Sequence, residues 1–304
     1  SKAKELIETR FFRYNNPTKE KIEIVKRELG IDMTYLIQNG EKRKDVQLFM
    51  LCYDKEEYGF VDNAVMTPIQ CGAANGKDVC KLKDNTGDNI SALNYLYVEN
   101  TGIYWIWKNV KDAVYKGQTQ YRRRLEGVDE TMDYDNVFKN YDIICAKPYN
   151  YPANHEAFIP SDTVLGGYAY SHCKEDLEDL GWDKYIVNGE NLYYSNGFVM
   201  KADKYDEYCT FLFDLLQKWA EKHGITRYED VIVHVARNLG AGRYIRYPIE
   251  HQDPMKLTWP SIQWQIHIFG FLSERIFTLW LQHNIPQEKR YEVSYVKMEG
   301  SMYI

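Results

Sequence analysis

Short apolar runs of strand length alternate along this chain with amphipathic stretches of helical period, and that alternation restricts the fold more than any other feature. Residues 46–53 (VQLFMLCY) form an apolar run bounded by charges, the pattern of a strand buried on both faces. Residues 141–146 (YDIICA) and 195–200 (SNGFVM) read the same way, and 113–119 reads as a strand leading straight into Gln120. Residues 65–74 are also apolar, but Pro68 and Gly72 shorten them to a brief strand or a loop. Between these runs, 92–108, 205–222 and 266–283 carry helical spacing, with Leu212, Leu215, Leu216 and Trp219 on one face of the second. The polar loop 83–91 (KDNTGDNIS) is rich in turn formers, and its Asn89 or Ser91 suits a helix cap. Strands alternating with helices predict an α/β domain whose central sheet is mainly parallel and flanked by helices. Residues 1–45 read as a helical N-terminal extension, in which Ile22, Ile24, Val25 and Leu29 sit among Lys and Glu. Residues 46–304 then form one domain, irregular over 149–195 and 240–265 and closing with an edge strand or tail over 288–304.

Several function classes lose support at once. A net charge of −6 argues against a broad nucleic-acid-binding face, which needs a basic surface. The six cysteines, at 52, 71, 80, 145, 173 and 209, include no CxxC pair. That scatter suits reduced thiols of a cytoplasmic protein rather than a disulfide framework or a zinc site. No apolar run reaches the roughly 18 residues that span a bilayer, and residues 1–16 lack the apolar core of a signal peptide. The sequence holds no GxSxG, P-loop or GxGxxG, against serine hydrolase, P-loop NTPase and ordinary dinucleotide-binding readings. Aromatic residues make up 15% of the chain, including 26 Tyr. Such rings suit sugars and nucleobases, but biased composition alone produces the same excess.

Four segments contain candidate chemistry. Arg122, Arg123 and Arg124 follow Tyr121 at an expected strand end, where ligands of open α/β sheets gather. Guanidinium groups bind phosphate through paired N–H donors and stay charged, although three adjacent arginines also suit a solvated turn. In the 83–91 loop, Asp84, Thr86, Asp88 and Asn89 could meet ribose hydroxyls, a base edge or a metal, or serve as a structural Asx turn. Glu274 lies in an apolar helix, where desolvation raises a carboxyl's proton affinity and suits a base, or where it joins an ion pair with Arg275. His172 lies among Tyr168, Tyr170 and Glu175, and His234, His251 and His267 show no zinc spacing.

Taken in order, PIQCGAA at 68–74, DNTGDNIS at 84–91, ENTGIYWIWKN at 99–109, QYRRRL at 120–125 and YDIICAKP at 141–148 form a distinctive series. SNGFVMKADKYDEYCTFLFDLL at 195–216 and FGFLSERIFTLWLQHN at 269–284 continue it. The series resembles the DUF4422 family of bacterial capsular and exopolysaccharide glycosyltransferases, which includes galactofuranosyltransferases. The likeness runs over most of 46–284. The family's usual basic segment is His-Tyr-Arg-Arg-Tyr-Phe; here Gln120 replaces His, and Arg124-Leu125 replaces the aromatic pair, while Tyr121, Arg122 and Arg123 are kept.

The resemblance implies a GT-A-like, Rossmann-type nucleotide-sugar-binding domain. It implies transfer of a hexose, galactofuranose from UDP-galactofuranose, with inversion, onto a glycan acceptor in capsule, exopolysaccharide or O-antigen synthesis. The partners are then a UDP-sugar and a lipid-linked acceptor, met by peripheral association with the cytoplasmic membrane face. Under this reading Glu274 is the first candidate base and Asp88 the second. Tyr121, Arg122 and Arg123 meet the departing UDP, and Asp84, Thr86 and Asn89 hold the donor. Trp105, His172 and Asn196 line the sugar and acceptor pockets. The arginines stand in place of a divalent Mn or Mg ion, so no metal ligand is assigned. Two alternatives stay open: a transferase for another UDP-hexose such as UDP-galactopyranose, and a non-catalytic glycan-binding component of the assembly machinery.

Overall fold

The structure, a computed structural model, describes residues 19–31, 42–53, 61–76, 78–150, 176, 178–180, 191–193, 195–240 and 266–297. The strands are β1 (Val46–Cys52), β2 (Met66–Gln70), β3 (Leu82–Lys83), β4 (Tyr115–Gln120), β5 (Arg123–Leu125) and β6 (Ile143–Ala146). They continue with β7 (Tyr149–Asn150), β8 (Asn191–Leu192), β9 (Phe198–Lys201), β10 (Arg290–Val293) and β11 (Tyr295–Lys297). The α-helices are α1 (Lys19–Leu29), α2 (Asn94–Tyr97), α3 (Asn100–Asn109), α4 (Tyr134–Phe138), α5 (Ala202–Lys222), α6 (Tyr228–Gly240) and α7 (Ile268–Asn284).

The main sheet has the order β10–β6–β9–β4–β1–β2–β3, with β5 hooked onto β4 and β11 onto β5. The pairs β1–β2, β1–β4, β2–β3 and β10–β6 are parallel, whereas β9 is antiparallel to both its neighbours. The sheet is thus mainly parallel, as the alternation predicts, with β9 reversed. β7 and β8 form a separate ribbon.

The apolar run at β1 follows from burial on both faces. Phe49 and Leu51 enter the core shared with α3, α5 and α7, while Val46, Leu48, Met50 and Cys52 enter the opposite core with Tyr134 and Phe138 of α4. Side chains alternate across a strand, so covering both faces demands apolar residues at every position. On the first face the helices meet through rings: Phe213 of α5 stacks on Trp107 of α3 at 5.6 Å, and Tyr97 meets Phe269 of α7 edge-on at 4.9 Å. A buried lysine ties the layers as well, since Lys116 of β4 pairs with Asp206 of α5 at 2.6 Å. Arg290 closes the end of α7 by donating to the carbonyls of Leu281 and Ile285, the backbone acceptors a helix terminus leaves over.

Several elements differ from the sequence reading, which assigns no element to α4 or to the short strands β3, β5, β7 and β8. The helix predicted over 92–108 is interrupted at Val98, whose φ is +53°, and the Asn94 amide donates to the Val98 carbonyl at 2.6 Å. A side-chain bond to the local backbone competes with helix continuation there. The strand predicted from 195 begins at Phe198, because Ser195 and Asn196 adopt positive φ in a turn. Residues 228–240, given no element above, form α6. The tail predicted over 288–304 contributes β10 and β11 in its described part.

Parallel strands place their carboxyl ends along one edge, here at Cys52, Gln70, Gln120 and Ala146. Because β9 is reversed, the turn before it, Ser195–Asn196, lies at that same edge.

The β4–β9 contact depends on Gly117. A Cβ there would collide with the Phe198 carbonyl oxygen and lie 2.8 Å from the Val199 Cα, both on an adjoining backbone that cannot rotate away. Gly117→Ala is expected to lower unfolding free energy by about 1–3 kcal/mol, read as a fall in the urea midpoint.

Candidate functional site

The site grows from the end of β4. After Gln120 the two-residue turn Tyr121–Arg122 folds the chain back, and Arg123 pairs with Gln120. The Thr119 hydroxyl donates to the Arg123 carbonyl, which fastens the turn. The Arg122 guanidinium lies 5.1 Å from the centre of the Tyr121 ring, and both residues are half-buried. Arg123 reaches across the edge and donates to the Ser195 hydroxyl. Arg124 goes elsewhere: with Met66, Leu125, Val128 and Glu130 it lines a cavity of about 490 Å³.

Ser195 also gives its backbone N–H to Glu274 Oε1 at 2.9 Å, so the arginine turn and α7 meet through one residue. Burial pushes the Glu274 carboxyl above its ordinary range, while Arg275, Arg123 and the Ser195 N–H work against that rise. The second carboxylate at this edge is Glu99, the residue preceding α3. Its side chain makes no cap bond. The Gln120 amide donates to Glu99 Oε1 over a long 3.4 Å. Burial and the nearby Glu274 charge push Glu99 up to about 7, against the Asn196 and Gln120 amides. Tyr295 of β11 belongs to the same neighbourhood: burial raises its phenol, Arg123 lowers it and Glu274 raises it further.

Beneath these groups lies one buried hydroxyl. Ser273 Oγ accepts from Asn100 Nδ2 at 3.2 Å and from Asn196 Nδ2 at 2.9 Å, and donates to the Gly270 carbonyl at 2.9 Å. All three side-chain partners are fully buried. Each has a site residue as its chain neighbour: Glu99 beside Asn100, Ser195 beside Asn196, and Glu274 beside Ser273.

The structure therefore brings together Tyr121, Arg122, Arg123, Asn196 and Glu274. It does not bring the 84–89 loop to them. Asp84 has no exposed surface, and its carboxylate accepts from the N–H groups of Gly72 (2.7 Å) and Ala73 (3.0 Å) and from the Ser91 hydroxyl (2.5 Å). Those bonds brace the turn after β2 in place of the donor contact expected for Asp84. Thr86 accepts from the Trp105 indole at 2.9 and 3.1 Å through its carbonyl and hydroxyl oxygens. Asp88 accepts from the Tyr104 hydroxyl and exchanges two bonds with Asn109. Asn89 bonds Gly87 and Ser91 within the loop. Asp88, Thr86, Asn89 and Trp105 thus bond within the loop and to α3, from Tyr104 and Trp105 at its middle to Asn109 at its end. Among the contacts of the described residues no bond joins them to the arginine turn, so Asp88 is not tied in beside it as a base. His172 lies outside the described residues.

Glu99, Ser195, Ser273 and Tyr295 were not singled out from the sequence, and Gln120 stood out there only as the replacement for a His. A Glu at a helix start reads as a favourable charge for the helix dipole, and nothing local marks Glu99 as anything else. Among the described residues no group of three or more His, Cys, Asp or Glu is placed to hold a metal ion, and no helix is long and apolar enough to cross a membrane.

Comparison with known proteins adds two findings. The family described as a domain of unknown function (DUF4422) matches residues 49–240. No curated protein matches the chain. Among solved structures, the apo structure of WbbM, a bifunctional glycosyltransferase, is similar with a TM-score of 0.57 and 21% identity. The match covers 84% of this chain and 45% of that one, so this chain spans about half of WbbM, and the likeness is one of fold.

The raised Glu99 carboxyl makes stability depend on pH. Its folded pKa lies above the ordinary carboxylate value of 4.5, so the fold favours the protonated form. The associated stability is fully present below about pH 4.5 and is lost as pH rises through about 7. At about 1.4 kcal/mol per unit, the full loss is on the order of 3–4 kcal/mol. Urea midpoints at pH 5 and pH 8 are expected to diverge more in the wild-type protein than in Glu99→Gln.

Proposed function

The chain belongs to the DUF4422 family, and from that premise we propose that it is a glycosyltransferase moving a hexose from a nucleotide sugar to a glycan hydroxyl. The observation that carries this reading is the Arg123–Ser195–Glu274 junction at the carboxyl edge of a mainly parallel sheet. The fold shared with WbbM supports it. Open α/β sheets bind ligands at that edge. There a fixed cation and a partly desolvated carboxylate serve the two charges that glycosyl transfer must handle.

In the proposed reaction the acceptor oxygen forms a bond to the anomeric carbon. The bond from that carbon to the β-phosphate oxygen breaks, and its electron pair leaves on the diphosphate. Negative charge therefore grows on phosphate oxygens in the transition state. Preorganised guanidinium groups stabilise it without a reorganisation cost. Arg122 and Arg123 fill that role, taking the place of a divalent cation, with Tyr121 packed beneath Arg122. The acceptor proton passes to a carboxylate of the Glu99–Glu274 pair, and Asn196 fixes the turn between them.

The finer reading follows the family resemblance: UDP-galactofuranose as donor, inversion at the anomeric carbon, and a lipid-linked glycan acceptor in surface polysaccharide synthesis. The protein would then work at the inner face of the cytoplasmic membrane by peripheral association.

UDP is expected to raise the melting temperature of the wild-type protein. Arg122→Ala and Arg123→Ala are each expected to weaken UDP binding about 10- to 100-fold, the equivalent of one or two charge-assisted hydrogen bonds, with unchanged far-UV circular dichroism. Near-normal binding and turnover in both variants would remove the assignment, and stabilisation by oligosaccharide alone would favour a glycan-binding role.

A further inference from the structure

We infer that Glu99, rather than Glu274, takes the acceptor proton, and that Glu274 is a positioning residue for the arginine turn. The inference rests on the glycosyl-transfer reading and divides the roles within that site.

The two carboxylates differ in what they already hold. Glu274 Oε1 accepts the Ser195 N–H at 2.9 Å, and Ser195 receives the Arg123 guanidinium through its hydroxyl. The charges of Arg123 and Arg275 both favour its ionised form. A carboxylate so engaged fixes Ser195 and Arg123 but is a poor proton acceptor, because taking a proton weakens each of those contacts. Glu99 is held by amides alone: its own backbone N–H and the Asn196 and Gln120 amides favour its ionised form. The Gln120 bond is long at 3.4 Å, and among the described residues no cation acts on Glu99 as Arg123 and Arg275 act on Glu274. The groups facing it are Glu274 from α7, Tyr208 from α5, the Cys71 thiol after β2, and the Gln120 and Asn196 amides. Burial and the neighbouring negative charge favour its protonated form, which is what a general base working near neutral pH requires.

Position supports the same division. The helix break at Val98 leaves Glu99 at the head of α3, with its carboxylate beside Gly270 in the first turn of α7. Even a Cβ at 270 would lie 3.2 Å from Glu99 Oε2, so glycine leaves the carboxylate its place. The amides beside it are not fully satisfied: Asn100 Oδ1 and Asn196 Oδ1 are both buried with no hydrogen-bond partner among the described residues, and an unpaired buried carbonyl oxygen is costly.

The step balances as follows. The acceptor oxygen bonds the anomeric carbon, the carbon–oxygen bond to the β-phosphate breaks with its pair on UDP, and the acceptor proton transfers to Glu99. The neutral Glu99 then returns that proton to solvent.

The test is steady-state UDP release from UDP-galactofuranose and, in parallel, UDP-galactose, with UDP affinity measured separately on each protein. The wild-type rate is expected to rise with pH to a plateau above about 7. Glu99→Gln is expected to lower kcat at least about 100-fold, to lose that rise, and to bind UDP as the wild type does. Glu99→Asp, which withdraws the carboxylate by one methylene, should lose turnover likewise while keeping UDP binding. Glu274→Gln is expected to weaken UDP binding while keeping the pH rise. Normal kcat in both Glu99 variants, or loss of the rise in Glu274→Gln with its retention in Glu99→Gln, overturns the assignment alone. A wild-type protein that neither binds UDP nor releases it from either donor overturns the transferase reading, and this assignment with it.

Discussion

One buried hydroxyl, Ser273 Oγ, holds the edge of this molecule together. It joins α3 through Asn100, the turn before β9 through Asn196, and its own helix through the Gly270 carbonyl. These segments are 77 and 173 residues from Ser273 in sequence. Both buried amide groups donate to this one oxygen, so the places of the three residues are coupled. The residue next to each anchor then has little freedom, and those neighbours are Glu99, Ser195 and Glu274. The site is thus the outward side of a polar knot whose inward side is structural.

Two local departures from regular structure aim the functional groups. Val98 takes a positive φ and ends one helix so that another can start at Asn100, which leaves Glu99 at the joint. Ser195 and Asn196 take positive φ in succession, which lets the Ser195 N–H face Glu274 while its hydroxyl meets Arg123. Left-handed backbone at non-glycine residues is costly, and such conformations concentrate where geometry matters most. Here both occur at one edge of the sheet, on segments tied to the same serine.

The electrostatics of that edge are asymmetric. Glu274 stands nearer the cations and Glu99 farther from them, so a pair alike in chemistry differs in proton affinity. The loop of residues 84–91, equally rich in carboxylates and amides, shows the contrary case. Asp84 satisfies two backbone N–H groups and a hydroxyl, and Asp88, Thr86 and Asn89 are taken up by Tyr104, Trp105, Asn109 and the loop itself. Its polar residues brace a helix and a turn, using the same groups that elsewhere would bind a ligand.

Much of the architecture was readable without coordinates. The unbroken apolar run of β1, the helical spacing of α5 and α7, and the placement of Arg122 and Arg123 at a strand end all follow from period and sterics acting over a few residues. Glu274 was legible too, because a charge inside an apolar helix is conspicuous on its own. The reversal of β9, the break at Val98 and the pairing of Glu99 with Glu274 were not legible. Each depends on partners far along the chain: β4 and β6 for the strand, Glu274 and Gly270 for the carboxylate. Sequence alone therefore determined which segments are strands and helices and which end of the sheet carries positive charge. Tertiary structure decided which carboxylates meet that charge, because proton affinity and geometry are set by neighbours in space rather than in sequence.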